Sequence, residues 1–117
     1  MRVEMTWHGT VAVAHLEGSI DAASSEGLTK SLQAIISRRP KGLVLDFGHV
    51  QSVSIADIAA LTQVARELRQ LGGDVVIAAP EPDVLKQLQA ERITIAIEPT
   101  VAVAINDLQA KSEAVFN

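Results

Sequence analysis

Few side chains in this sequence are equipped for chemistry, and they are scattered. Two hydroxyls, Ser52 and Ser54, stand shortly before the carboxylate of Asp57. A hydroxyl followed three residues later by a carboxylate, just ahead of an apolar run, is the spacing of a capping box that opens a helix. The simplest role for Ser54 is therefore an N-cap, Asp57 is a first-turn acid that suits the helix dipole, and Ser52 is a loop residue. The three histidines, His8, His15 and His49, fall in a turn, a strand and a loop and share no spacing of metal ligands. Asp21 reads as the N-cap of a helix starting at Ala22, while Asp46 ends a strand beside the Ser54 helix, so the two carboxylates could converge there. No nucleophile stands beside a general base and no glycine-rich loop could cradle a phosphate. Cysteine is absent, which removes disulfides, thiolate catalysis and zinc–thiolate sites together. The expectation is a protein without catalytic residues, metal or cofactor.

The elements that would position these residues alternate in period. Val3, Met5 and Trp7 alternate with polar residues as in a half-buried strand; His8-Gly9 turns the chain, and Thr10 to Leu16 returns as the second arm of a hairpin. Gly18-Ser19-Ile20-Asp21 breaks the pattern. Leu28, Leu32, Ile35 and Ile36 share a helical face, stopped by Pro40 and Gly42. Leu43 to Phe47 reads as a strand covered on both sides. The next helix starts at Ser54, lines one face with Ile58, Leu61, Thr62, Ala65 and Leu68, and ends at Gly72-Gly73. A strand over Asp74 to Ala79, a short helix with Val84, Leu85 and Leu88, a strand over Thr94 to Glu98 and a helix over Val101 to Lys111 complete the chain. The order ββαβαβαβα predicts one α/β domain over residues 1–117, a mixed, mostly parallel sheet with an N-terminal hairpin and four helices.

Bulk composition narrows the function. The chain has 117 residues, 48% of them hydrophobic and only 3% aromatic, so its core is built from aliphatic side chains. The net charge is −4, and the densest basic group, Arg38, Arg39 and Lys41, suits the end of a helix; no basic face exists for nucleic acid. Neither a secretory leader nor a run long enough to enter a membrane is present in the sequence, so a cytoplasmic protein is expected.

Three segments, in this order, resemble the STAS domain of bacterial anti-sigma-factor antagonists. They are Gly18-Ser19-Ile20-Asp21 after the second strand, Leu45-Asp46-Phe47 at the strand before the regulatory loop, and Val50 to Ser54 leading into Ile58-Ala59-Ala60-Leu61 with Gly72-Gly73 behind it. The resemblance implies a switch protein that binds a partner, commonly a kinase-fold anti-sigma factor, and is released from it by phosphorylation at the start of the signature helix. It also allows an alternative, a structural or sensory subunit of a transporter or signalling assembly.

One departure alters the expectation. The family signature reads Asp-Ser-Ser-Gly-Leu, and its phosphoacceptor falls on Ala56, which has no hydroxyl; Asp57 occupies the glycine position. Ser54 and Ser52 are the remaining weak substitutes, and Asp57 could supply a permanent negative charge imitating the modified state. The expected partner-binding surface comprises His49, Gln51, Ser52, Ser54, Ile55, Ala56 and Asp57, in the loop from His49 to Val53 and the first two turns of the helix.

Overall fold

A computed structural model describes residues 2–20 and 25–114. Its elements run β1 (Arg2–His8), β2 (Val11–Ile20), α1 (Ser25–Ile36), β3 (Gly42–Val53), α2 (Ile55–Gln70), β4 (Asp74–Ala78), α3 (Pro82–Ala90), β5 (Ala96–Glu98) and α4 (Val101–Ala114). The five strands form one sheet in chain order, β1 antiparallel to β2 and every later pair parallel. This is the mixed sheet and element order that the sequence predicts.

Strand alternation divides the core in two. Ala12, Ala14, Leu16, Leu43, Leu45, Phe47, Val75 and Ile77 point to one face, where they pack with α1, α2 and α3. Val11, Val13, Val44, Val76 and Ala78 point to the other, where Ala104 and Leu108 of α4 cover them. Leu108 approaches β3 so closely that a Cβ placed on Gly42 would lie 2.8 Å from its Cδ1.

Two segments differ from expectation for one reason. The chain from His49 to Val53, read as a loop, continues β3, and Gly18 to Ile20, read as a break, continues β2 beside it. The pairing runs His15 to Asp46, Glu17 to His49, Gly18 to Val50 and Ile20 to Val53, so β3 twice carries one more residue than its partner. These bulges place Phe47, Val50 and Val53 all in the core. The apolar spacing is therefore three rather than two, which a period-2 search rejects. Smaller differences follow at the ends: β5 covers only Ala96–Glu98 of the expected Thr94–Glu98, and α4 extends past Lys111 to Ala114. The expected helix start at Ala22 and the Asp21 cap lie outside the described residues.

α2 begins and ends where the sequence marks it. At its C-terminus Gly72, at φ 90°, donates to Arg69 O and Gly73 donates to Leu68 O, both at 3.0 Å, closing the orphan carbonyls of the last turn. Gly73 also has no room for a side chain, since a Cβ would lie 2.8 Å from Leu68 Cγ and 2.9 Å from Pro40 O.

Candidate docking surface at the start of α2

β3 delivers the chain to α2 at Ser54, whose extended backbone (φ −86°, ψ 164°) stops the strand and opens the helix. Val53, immediately before it, is buried, and its N–H donates to Gln87 Oε1 of α3 at 3.4 Å. The turn is thus tied to the core on one side and to a neighbouring helix on the other.

The capping box forms in full. Asp57 N–H donates to Ser54 Oγ at 3.2 Å, and Asp57 Oδ2 accepts from Ser54 N–H at 3.2 Å and from the Ser54 hydroxyl at 2.6 Å. Ser54 therefore has both its donor and its acceptor engaged by one residue. Asp57 is fully buried, the one buried charged residue among those described, and its Oδ1 has no hydrogen-bond partner. This corrects its expected place on the surface: the first-turn acid faces inward, so neither a partner nor solvent meets a permanent charge there.

The outward side of the same turn is apolar. Ile55 is 70% exposed, the highest value among the exposed large hydrophobics, with Ala56 exposed next to it and Ala59 exposed one turn on. The methyl of Ala56 thus stands in the open, at the position where the resemblance implies a modified hydroxyl. Upstream, Gln51 and Ser52 are exposed, on strand rather than loop. His49 and Gln51 line a hollow of about 290 Å³ with Glu17, Gly18, Gly48 and Glu81, toward the carboxyl ends of β2 and β3. Of the seven expected surface residues, His49, Gln51, Ser52, Ile55 and Ala56 are exposed, Ser54 is half-buried and Asp57 is excluded.

Asp46 does not end a strand, and it does not approach α2. Flanked by Leu45 and Phe47 in the α1–α2–α3 core, it points to the opposite face, where its Oδ2 lies 2.7 Å from His15 Nδ1 and its Oδ1 accepts from Gly48 N–H at 3.0 Å. His15 Nε2 in turn lies 3.1 Å from Thr6 Oγ1, so one imidazole bridges β1, β2 and β3. The carboxylate closes the first bulge of β3, where a Cβ on Gly48 would sit 3.2 Å from Asp46 Oδ1. Sequence reasoning missed this linkage because its members come from three strands, and no local spacing announces it. Among the described residues no three histidines or acids gather as metal ligands, and no helix is long and apolar enough to cross a membrane.

A mixed five-stranded sheet with its signature helix opening beside the central strand is the architecture of a STAS domain. The family model for the STAS domain matches residues 2–104, and the chain belongs to that family. It is of the anti-sigma-factor-antagonist type. BtrV of Bordetella bronchiseptica, which is described as an anti-sigma factor antagonist, is 30% identical over 84 residues, 72% of each chain. An anti-sigma factor antagonist from Mycobacterium paratuberculosis superposes with a TM-score of 0.85 at 20% identity, covering 92% of this chain and 93% of that one. SpoIIAA in its unphosphorylated form gives a TM-score of 0.81 at 17% identity, covering 93% and 97%.

Proposed function

We propose that this domain binds an anti-sigma factor of the kinase fold through the turn that opens α2, and that no phosphate controls this docking. The observation that carries the reading is the pairing of an exposed Ile55–Ala56 surface with a Ser54 hydroxyl held by Asp57. Ile55 offers an aliphatic anchor for a partner's apolar pocket, and centrally placed anchors of this kind dominate interface energetics. Ala56 cannot accept a phosphoryl group. Phosphorylating Ser54 would replace the proton it gives to Asp57 with a dianion, bring that dianion against a buried carboxylate and dismantle the cap. The domain thus acts by binding rather than catalysis, in a constitutively competent state. The assembly-subunit alternative is not favoured, since BtrV, which shares sequence with this chain over 72% of its length, carries the antagonist description.

The test uses the purified domain with its anti-sigma factor and ATP. Titration calorimetry should give saturable binding that Ile55→Ala weakens roughly tenfold or more, the loss expected for an aliphatic side chain of this size. Intact mass should stay constant throughout the incubation. A stoichiometric phosphate on Ser54 or Ser52, or binding indifferent to Ile55→Ala and Ile55→Lys alike, overturns the reading.

A further inference from the structure

The two margins of the sheet are built differently. β5 is three residues long and runs into Pro99, so it offers little backbone to a visitor. β1 offers seven residues without proline or bulge: its register with β2 is unbroken from Arg2 opposite Glu17 to His8 opposite Val11. On its other side β1 has no partner strand among the described residues. Its apolar row is incompletely covered, with Val3 and Met5 half-buried against the core and Trp7 38% exposed.

The strand is also complementary to itself. Pairing two copies antiparallel about a two-fold axis at Met5 sets Met5 opposite Met5, Val3 opposite Trp7 of the second copy, Glu4 opposite Thr6 and Arg2 opposite His8. All seven residues are used, the apolar row meets the apolar row, and no two carboxylates face each other. Other registers fail. Centring on Glu4 puts two carboxylates directly opposite, which destabilises a ladder. A half-step shift brings the apolar row against Arg2, Glu4 and Thr6. Centring on Thr6 discards Arg2 and Val3 from the pairing.

We propose that β1 is a homodimerisation edge, joining two copies of this chain into a continuous ten-stranded sheet with Met5 on the two-fold axis. The occupant is a second copy because the register that uses the whole strand is the one that the side chains satisfy. α2 packs against α1 and β4, away from the β1 edge, so the two docking turns remain open and one dimer offers both at once.

The absence of cysteine makes the register directly testable. Directly opposed side chains have Cβ atoms about 4.5–5.5 Å apart, close enough to reach disulfide geometry with small adjustment. Under mild oxidation Met5→Cys should form a covalent dimer. Glu4→Cys and Thr6→Cys should each form no disulfide-linked dimer alone but cross-link when mixed. Sedimentation equilibrium of the unmodified chain should give twice the monomer mass at roughly 100 µM, and Trp7→Lys should weaken that association about tenfold. A wild-type monomer at that concentration, or Glu4→Cys cross-linking alone as readily as Met5→Cys, overturns the proposal.

Discussion

Replacing Ser54 with alanine should cost far more than an ordinary N-cap, and only when Asp57 is present. The substitution removes the acceptor for Asp57 N–H, worth about 1 kcal/mol. It also removes the hydroxyl that donates at 2.6 Å to a fully buried carboxylate; such bonds contribute about 1.5–3 kcal/mol. The total is about 3 kcal/mol, a large share of the roughly 5–15 kcal/mol available to a domain. In an Asp57→Ala background the second contribution has already gone, and Ser54→Ala should cost only about 1 kcal/mol. The coupling between the two positions is then about 2 kcal/mol, well above the additivity error of distant sites. Urea unfolding of the four proteins, followed by far-UV circular dichroism with a common m value, measures it. A Ser54→Ala cost equal in the two backgrounds, to within about 0.5 kcal/mol, would refute the argument that the carboxylate occupies the hydroxyl.

Further outcomes follow from packing and charge. Gly42→Ala places a methyl 2.8 Å from Leu108 Cδ1 and 2.9 Å from its Cβ, so α4 must shift on β3; a stability loss of about 1–3 kcal/mol by urea unfolding is expected. At Asp74 burial pushes the carboxyl pKa up, but hydrogen bonds from Lys111, Val75 N–H and Arg69, together with the Lys111 charge, hold it below the ordinary 3.8. A depressed carboxyl stabilises the fold above the unfolded value and stops doing so as pH falls through the folded value, so stability should decline on acidification below about pH 4. Lys111→Met should shrink that decline. Glu98 has the opposite sign: a hydrogen bond with Asp107, assisted by desolvation and repulsion between the two, raises its pKa above 4.5, so this contribution is present below that value and lost as pH rises. Glu98→Gln should accordingly raise the urea midpoint at about pH 7 more than at about pH 3.

Local signals make α2 legible in the sequence itself. Ser54 and Asp57 mark its start, Gly72 and Gly73 its end, and the buried Ile58, Leu61, Ala65 and Leu68 its inner face, all within one stretch of chain. The order of elements is legible for the same reason. What the sequence hides is whatever depends on a neighbour. The second half of β3 is strand only because β2 runs beside it, and its two bulges make sense only against that partner. His15 and Asp46 are 31 positions apart, and their meeting depends on a parallel register that no local pattern states. Asp57 is the subtler case: a first-turn acid is ordinarily wet, and here it lies inside because the helix faces the core with the side that carries it.

The doubled extra residue in β3 has a bearing on how this chain tolerates change in length. Each bulge lets the strand gain one residue on β2 while keeping Phe47, Val50 and Val53 pointed inward. Removing a single residue other than Val50 between 48 and 52 would erase one bulge and leave the pairing beyond it in register with β2, at the cost of the local bend and, at the first bulge, of the hydrogen bond from Gly48 N–H to Asp46 Oδ1. Removing a residue from the turn at His8-Gly9 would disturb only the hairpin. Loss of one residue should therefore be absorbed at either bulge, whereas the same loss in the regular stretch from Leu43 to Asp46 would turn inward side chains outward.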